Sequence, residues 1–415
     1  MTTRLSALAA VLALIAVPCA AQAPLTLGKV FPIESRTLNE ERKVVVWTPP
    51  GYAASGRAYP VLYLTDAEGQ FGHTVTTVEF LSRNGRMPGA IVVGIFNVAR
   101  TRDLTPYKPN DPEADRQVPT AGGADRFLRF IETELVPWVE REYRTEPLRM
   151  FAGHSFGGLF GVHALATRPD LFNVVIAVSP TLHWRQNEPV KRLASMVKGR
   201  RDLKRTLYVT LGAEGPHMQS GFDALQRALK AADSPALRWH LVKMDNEDHG
   251  SIVLRSHYDG LEKVFDGWRL PQTSGAYEGG LSAVIAHYAA VSDRIGWRTS
   301  PPEITVNNLG YAALAAGRTA EALEYFQFNV RTYPGSANAY DSLGEGLEAA
   351  GRPDEALAKY EEAVRRAKAS RDPLLEASNT ATRLARSWQG RRSKHRIGVR
   401  RARCGVRRAS AGCGS

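Results

Sequence analysis

Gly153-His154-Ser155-Phe156-Gly157 sets a serine between two glycines in the pattern G-x-S-x-G. A serine hydroxyl is a weak nucleophile until a base takes its proton, so this residue does chemistry only if a histidine or an equivalent group reaches it. In a chain with 36 glycines the pattern also arises by chance, and its setting must carry the inference. Here the apolar run Arg149–Ala152 precedes it as a strand and Leu159–Ala166 follows it as a helix, which is the strand–turn–helix that exposes a nucleophile. Gly153 and Gly157 fall where a side chain would collide with the strand or the helix. Ser155 Oγ would then stand at the strand's C-terminal end. The backbone N–H of Phe156, at the helix N-terminus, is the expected donor to a developing oxyanion.

Ten histidines are available as base. His154 lies within the turn and is expected to point away from Ser155, and His163 sits two turns into the following helix, where packing accounts for it. His249 lies in the polar loop Asp245-Asn246-Glu247-Asp248-His249-Gly250, directly after the last strand-like run. When the chain order is nucleophile, acid, base, that loop is where the base arrives. His249 is therefore the expected base, with His257 as the alternative. A third group must orient the imidazole and stabilise its protonated form. Glu214 follows the penultimate strand, 59 residues after Ser155 and 35 before His249. Asp223, nine residues later, is the second candidate. Glu214 as a solvated loop charge beside a serine–histidine dyad is the plainer reading.

These residues need a scaffold that brings several strand ends to one edge. Short β-branched runs at Lys43–Thr48, Val61–Thr65, Ala90–Ile95, Arg149–Ala152, Val174–Val178, Thr206–Leu211 and Leu237–Met244 alternate with helical patterns. That alternation predicts a doubly wound α/β domain with a mainly parallel sheet. Over Ala124–Arg141 the apolar residues Phe127, Phe130, Ile131, Leu135, Trp138 and Val139 share one helical face.

A second, all-α module begins near Pro301. Leu309-Gly310, Gly317 and Ala322-Leu323 recur as Leu343-Gly344, Gly351 and Ala356-Leu357, each 34 residues on, which is the tetratricopeptide period. Small residues at these places let paired helices approach, while Tyr325, Phe326 and Tyr360 fill the groove between pairs. Two repeats bury little, so the module should pack on the first domain through a helix at Leu281–Ala290 and be capped by one around Pro373–Arg386. A docking or lid-supporting role, with a protein partner on the repeats, is expected of it.

The termini bound the rest. Arg4, the apolar stretch Leu5–Val17 and the small residues Cys19-Ala20-Ala21 read as a signal peptide cut after Ala21, too short in its apolar core for the ~20 residues of a membrane span. The expected chain is then exported, to the periplasm or beyond. Cys19, Cys404 and Cys413 are the three cysteines, so no disulfide or thiolate serves the folded body. The formal charge of +12 is concentrated in nine basic residues between Arg391 and Arg408. The body is near neutral and lacks the basic, aromatic-interleaved face that nucleic acid needs. The tail's abrupt change of composition also suits a shifted reading frame. The expected layout is a signal peptide over 1–21, a catalytic domain over 22–270, a connecting helix over 271–300, repeats and cap over 301–387, and a basic, disordered tail over 388–415.

The runs Tyr59-Pro60-Val61-Leu62-Tyr63-Leu64-Thr65-Asp66, Gly153–Gly158, Ser179-Pro180-Thr181-Leu182-His183-Trp184 and His249-Gly250-Ser251 resemble the esterase D and enterochelin-esterase-like group of α/β hydrolases, from about Val30 to Leu270. The resemblance implies serine hydrolysis of small carboxylic esters with no metal or cofactor, in a group that processes siderophore lactones, feruloyl esters and thioesters. Arg100-Thr101-Arg102-Asp103-Leu104-Thr105-Pro106 is similar to the group's R-x-x-D-x-T-P segment. It implies that Arg100 reaches the site to assist an oxyanion or an anionic substrate, a purely structural arginine being the alternative. The second oxyanion donor falls near Ala67, where the group's usual Asp-Gly reads Asp66-Ala67. A catalytically decayed hydrolase serving as a repeat-mediated scaffold, and an acyltransferase, are the competing functions.

Overall fold

The computed structural model describes residues 26–108, 112, 116, 118–235, 237–271 and 277–370. The expected signal peptide, the expected cap around Pro373–Arg386, the basic tail and all three cysteines lie outside the described residues. Eight strands form one sheet: β1 (Lys29–Ser35), β2 (Glu40–Trp47), β3 (Tyr59–Leu64), β4 (Ile91–Ile95), β5 (Thr145–His154), β6 (Val174–Val178), β7 (Arg205–Gly212) and β8 (Leu237–Met244). Their order is β1-β2-β4-β3-β5-β6-β7-β8. The pairs β1–β2 and β2–β4 are antiparallel and every other pair is parallel. This is the doubly wound, mainly parallel sheet that the strand alternation predicts, with one strand more. β1 escapes the sequence pattern because Pro32 interrupts it. It pairs on one side only, where a missing N–H is tolerated.

The helices are α1 (Tyr52–Ser55), α2 (Ala67–Arg83), α3 (Arg100–Leu104), α4 over 124–142, α5 (Phe156–Thr167), α6 (Trp184–Val197), α7 (Pro216–Ala232), α8 (Ile252–Val264), α9 (Gly280–Ile295), α10 (Glu303–Ala315), α11 (Thr319–Thr332), α12 (Ala337–Ala349) and α13 (Pro353–Ser370). Within α4 a π turn spans Ile131–Leu135 just before Pro137. Proline has no N–H for the carbonyl four residues back, and the wider turn absorbs the lost bond.

Because side chains alternate across a strand, the sheet feeds two cores. Val61, Tyr63, Phe151, Val175, Leu207 and Val209 face one side, with Phe127, Ile131, Leu135, Phe160, Leu193 and Leu225 from the covering helices. Leu62, Leu64, Met150, Ala152, Ile176 and Tyr208 face the other, against Phe71, Val75, Leu261 and Val264.

The second core runs on through Val284, Tyr288, Val291 and Ile295 of α9 to Val306 and Tyr325, so α9 does join the helical module to the sheet. The module is two helix pairs, α10–α11 and α12–α13, offset by 34 residues. A Cβ on Gly310 would come within 2.5 Å of Phe326, and one on Gly344 within 2.4 Å of Tyr360. Helix approach therefore requires glycine at the same place in both pairs. Three contacts that α9, the turn after it and the module make with the sheet domain lie at the same end of the strands. Trp297 Nε1 donates to Glu146 Oε2 (3.4 Å) at the start of β5. Just before β3, Arg57 pairs with Glu303 and stacks on Tyr333. Just before β7, Lys204 pairs with Asp293. These are the N-terminal ends of parallel strands. A lid-supporting role would need contacts at the other end, about 30 Å away along the ten residues of β5.

Candidate active site

Ser155 joins β5 to α5 with φ 59° and ψ −115°. Few non-glycine residues occupy such a backbone conformation, and it persists only where neighbours fix it. Here the Ser155 N–H donates to the Val178 carbonyl (2.9 Å), and its own carbonyl accepts from Leu159 N–H (2.9 Å). A Cβ on Gly153 would lie 2.4 Å from the Gly157 backbone, and one on Gly157 would lie 2.5 Å from Thr65 Oγ1. The glycines are thus required by close approach, as their spacing in the sequence implies.

Phe156 is the first residue of α5 and Ala67 the first of α2. N–H groups in a helix's first turn have no partner within the helix, and that end carries the positive pole. The two helices start beyond the C-terminal ends of β5 and β3, which are paired in register at Ala152 and Leu64. Both expected oxyanion donors therefore sit at neighbouring helix N-termini.

Arg100 is turned inward. Its Nε donates to Asp66 Oδ1 (2.6 Å), while Nη2 donates to Asp66 Oδ2 (3.1 Å) and to the His154 carbonyl (3.2 Å). Asn97 Nδ2 adds a bond to Asp66 Oδ1 (2.7 Å). Asp66, at φ 56°, immediately precedes α2, so one guanidinium ties the turn before α2 to the turn before α5. These are contacts of the kind that the structural alternative for Arg100 calls for. The rest of its segment anchors it: Asp103 pairs with buried Arg42 and with Arg102, and Thr105 Oγ1 accepts from Gly122 N–H.

His249 and Glu214 come together as their loop positions suggest. His249 Nδ1 lies 2.6 Å from Glu214 Oε2. A carboxylate only accepts, so Nδ1 is the donor, and in the neutral ring Nε2 is the nitrogen with the lone pair. The Glu214 side chain is 6% exposed against 45% for His249, the contrast expected of a fixed acceptor and a working ring. Ala213 N–H donates to the Glu247 carbonyl (2.7 Å), locking the two loops together. Asp248 Oδ1 closes the turn by accepting from Gly250 and Ser251 N–H, both 2.8 Å. Those backbone donors hold its carboxyl below the usual aspartate range.

The alternatives lie elsewhere. Asp223, on α7, accepts from Gln219 and faces Lys243. His257 is a core residue bonded through Nδ1 to Thr74 Oγ1 (3.0 Å). Burial, and then the neighbouring His73 and His154 rings, push its pKa down to about 3.

Two residues were not legible as site residues. His154 reaches His249: its Nε2 donates to the His249 carbonyl at 2.6 Å, with ring centroids 4.6 Å apart. Burial, and then His249, lower its pKa. Ser179 donates through its hydroxyl to Glu214 Oε1. The Ser-Pro-Thr run marks a strand end but not this partner. Beside the serine turn, Trp184 packs edge-on to Phe156 (5.5 Å) and donates through Nε1 to the Tyr107 carbonyl (3.0 Å), a wall rather than a reacting group. Among the described residues no cluster of three or more His, Cys, Asp or Glu is arranged to hold a metal.

A mainly parallel eight-stranded sheet with a constrained serine turn between β5 and α5, an acid loop after β7 and a histidine loop after β8 defines an α/β hydrolase. The chain belongs to the family described as "Putative esterase", whose model matches residues 35–255, and it is an ester hydrolase. It is 33% identical over 228 residues to the ferri-bacillibactin esterase of Bacillus subtilis, covering 50% of this chain and 77% of that one. With the siderophore triacetylfusarinine C esterase of Aspergillus fumigatus it shares 31% identity over 254 residues, 52% and 84% of the respective chains. The crystal structure of an IroE-like serine hydrolase from Shewanella oneidensis aligns with a TM-score of 0.65 at 28% identity, covering 74% of this chain and 99% of that one. Among the described residues no helix is long and apolar enough to cross a membrane.

Proposed function

We propose that this protein is an exported serine esterase that opens carboxylic esters of the siderophore-lactone type through an acyl-enzyme on Ser155. The observation that carries the reading is the Glu214–His249 pair at 2.6 Å, held on loops that follow strands of the same sheet edge as Ser155. In the first half-reaction Ser155 Oγ attacks the ester carbonyl carbon while His249 Nε2 takes its proton. The tetrahedral oxyanion is met by the N–H groups of Phe156 and Ala67. As the intermediate collapses, the ester C–O bond breaks and the leaving alkoxide takes the proton from His249. Water then repeats the sequence on the acyl-enzyme, returning Ser155 and releasing the acid. Glu214 holds the tautomer and stabilises the transient imidazolium. Relatives that act on ferri-bacillibactin and on triacetylfusarinine C support the substrate class, and the apolar leader supports export.

A fluorophosphonate probe tests the nucleophile: wild type should label and Ser155→Ala should not. Hydrolysis of p-nitrophenyl acetate beside a catecholate trilactone then tests the substrate. Absence of labelling in folded wild type would overturn the serine mechanism, whereas labelling without lactone cleavage would overturn only the substrate class.

A further inference from the structure

We infer that Ser179 is a positioning residue, whose hydroxyl fixes the Glu214 carboxylate in the orientation that meets His249. The inference rests on the reading of Glu214 and His249 as the acid–base pair, and it concerns a residue outside that pair. Ser179 directly follows β6, the strand between β5, which leads to Ser155, and β7, which leads to Glu214. It is fully buried and adopts φ 40°, the left-handed region that a serine rarely enters. Its N–H donates to the Thr210 carbonyl of β7 (3.0 Å), which anchors the backbone that carries the hydroxyl.

The hydroxyl donates to Glu214 Oε1, which also accepts from Gly212 N–H at 3.2 Å. Two donors on one oxygen leave Oε2 for His249. A glutamate has one more rotatable bond than an aspartate, so the second oxygen meets the imidazole reliably only if the first is anchored. Relief of a buried hydroxyl by the nearest acceptor is the competing account. The two differ at glycine, which adopts positive φ without penalty but has no hydroxyl.

Ser179→Ala and Ser179→Gly, each alone and combined with Glu214→Ala, should be assayed for kcat and KM on p-nitrophenyl acetate and melted beside wild type. Both single variants should lose roughly 10-fold in kcat with KM almost unchanged, the glycine variant melting no lower than wild type. Neither should add a further loss to Glu214→Ala, because a residue acting through Glu214 has nothing left to position. A glycine variant with wild-type turnover, or losses that multiply with Glu214→Ala, would overturn the inference. If Ser155→Ala is inactive while both Ser179 variants are fully active, this inference alone fails. If Ser155→Ala turns over like wild type, the serine reading fails and this one with it.

Discussion

The imidazole of His249 has one nitrogen committed to Glu214 and the other free, whereas that of His257 is sealed in the core beside Thr74. The two histidines should therefore respond differently. His249→Ala should slow ester hydrolysis by roughly three orders of magnitude, about 4 kcal/mol of transition-state stabilisation. His257→Gln should alter stability and leave kcat within a few-fold. Steady-state kinetics on p-nitrophenyl acetate check this, and near-normal turnover in folded His249→Ala would move the base elsewhere. Among carboxylates, Glu214→Gln should be damaging but less so than His249→Ala, because an amide still holds the ring without stabilising its charge. Asp223→Asn should be close to silent, and a larger loss there would reverse the assignment. The turn at Ser155 and the meeting of His249 with Glu214 were legible because a local pattern marks the one and the order of loops along an α/β sheet places the other. His154 and Ser179 were not. Their partners lie 95 and 35 residues away, and no local periodicity encodes such a contact.

Between elements, the Arg100 guanidinium is the tie that sets α2 beside α5, and with them the two N–H groups read as oxyanion donors. Arg100→Gln should lower kcat on a neutral ester such as p-nitrophenyl acetate by about 10-fold to 100-fold, since it leaves Asp66 partly unpaired and frees both turns. If Arg100 served only to bind anionic substrates, KM for anionic esters would rise and the neutral ester would be untouched. The contact of α2 with α8 carries a second prediction. His257 is buried there with its pKa depressed from 6.5 to about 3. The unfolded chain therefore binds one more proton than the folded chain between those values. The stability from keeping this ring neutral is full above pH ~6.5 and is lost as pH falls toward 3, on the order of 5 kcal/mol across the window. Urea unfolding at pH 7 and pH 5 should show a smaller drop for His257→Gln than for wild type, and equal drops would exclude the effect. The strands were largely legible at this scale because β-branched runs mark them. The kinked start of α6, where Arg185, Gln186 and Asn187 all take positive φ, was not, since only tertiary packing holds such a turn.

At the scale of the whole molecule the 34-residue period identified the helix pairs, but not the edge of the sheet they attach to. Periodicity records how a module packs on itself and says nothing of the face it offers outward. The attachment decides where the chain can be cut. Trp268 stacks on Trp297 at 6.0 Å, and its carbonyl accepts from the Tyr288 hydroxyl (2.7 Å). Val284, Val291 and Ile295 complete that core. Ending the chain at Leu270 would strip this cover from Val264, Phe265 and Trp268. At about 1.5–3 kcal/mol for each large apolar side chain exposed, the loss approaches the ~5–15 kcal/mol that holds a domain folded. Ending it at Ser300 keeps α9 and Trp297, and gives up mainly Val306, Tyr325 and the Arg57–Glu303 pair. The longer fragment should stay soluble, label with fluorophosphonate and hydrolyse p-nitrophenyl acetate near the full-length rate, because the site lies at the opposite edge of the sheet. The shorter one should aggregate or melt far lower. Equal stability of the two fragments would show that α9 belongs to the helical module alone, while loss of esterase activity in a folded 26–300 fragment would show that the module reaches the site.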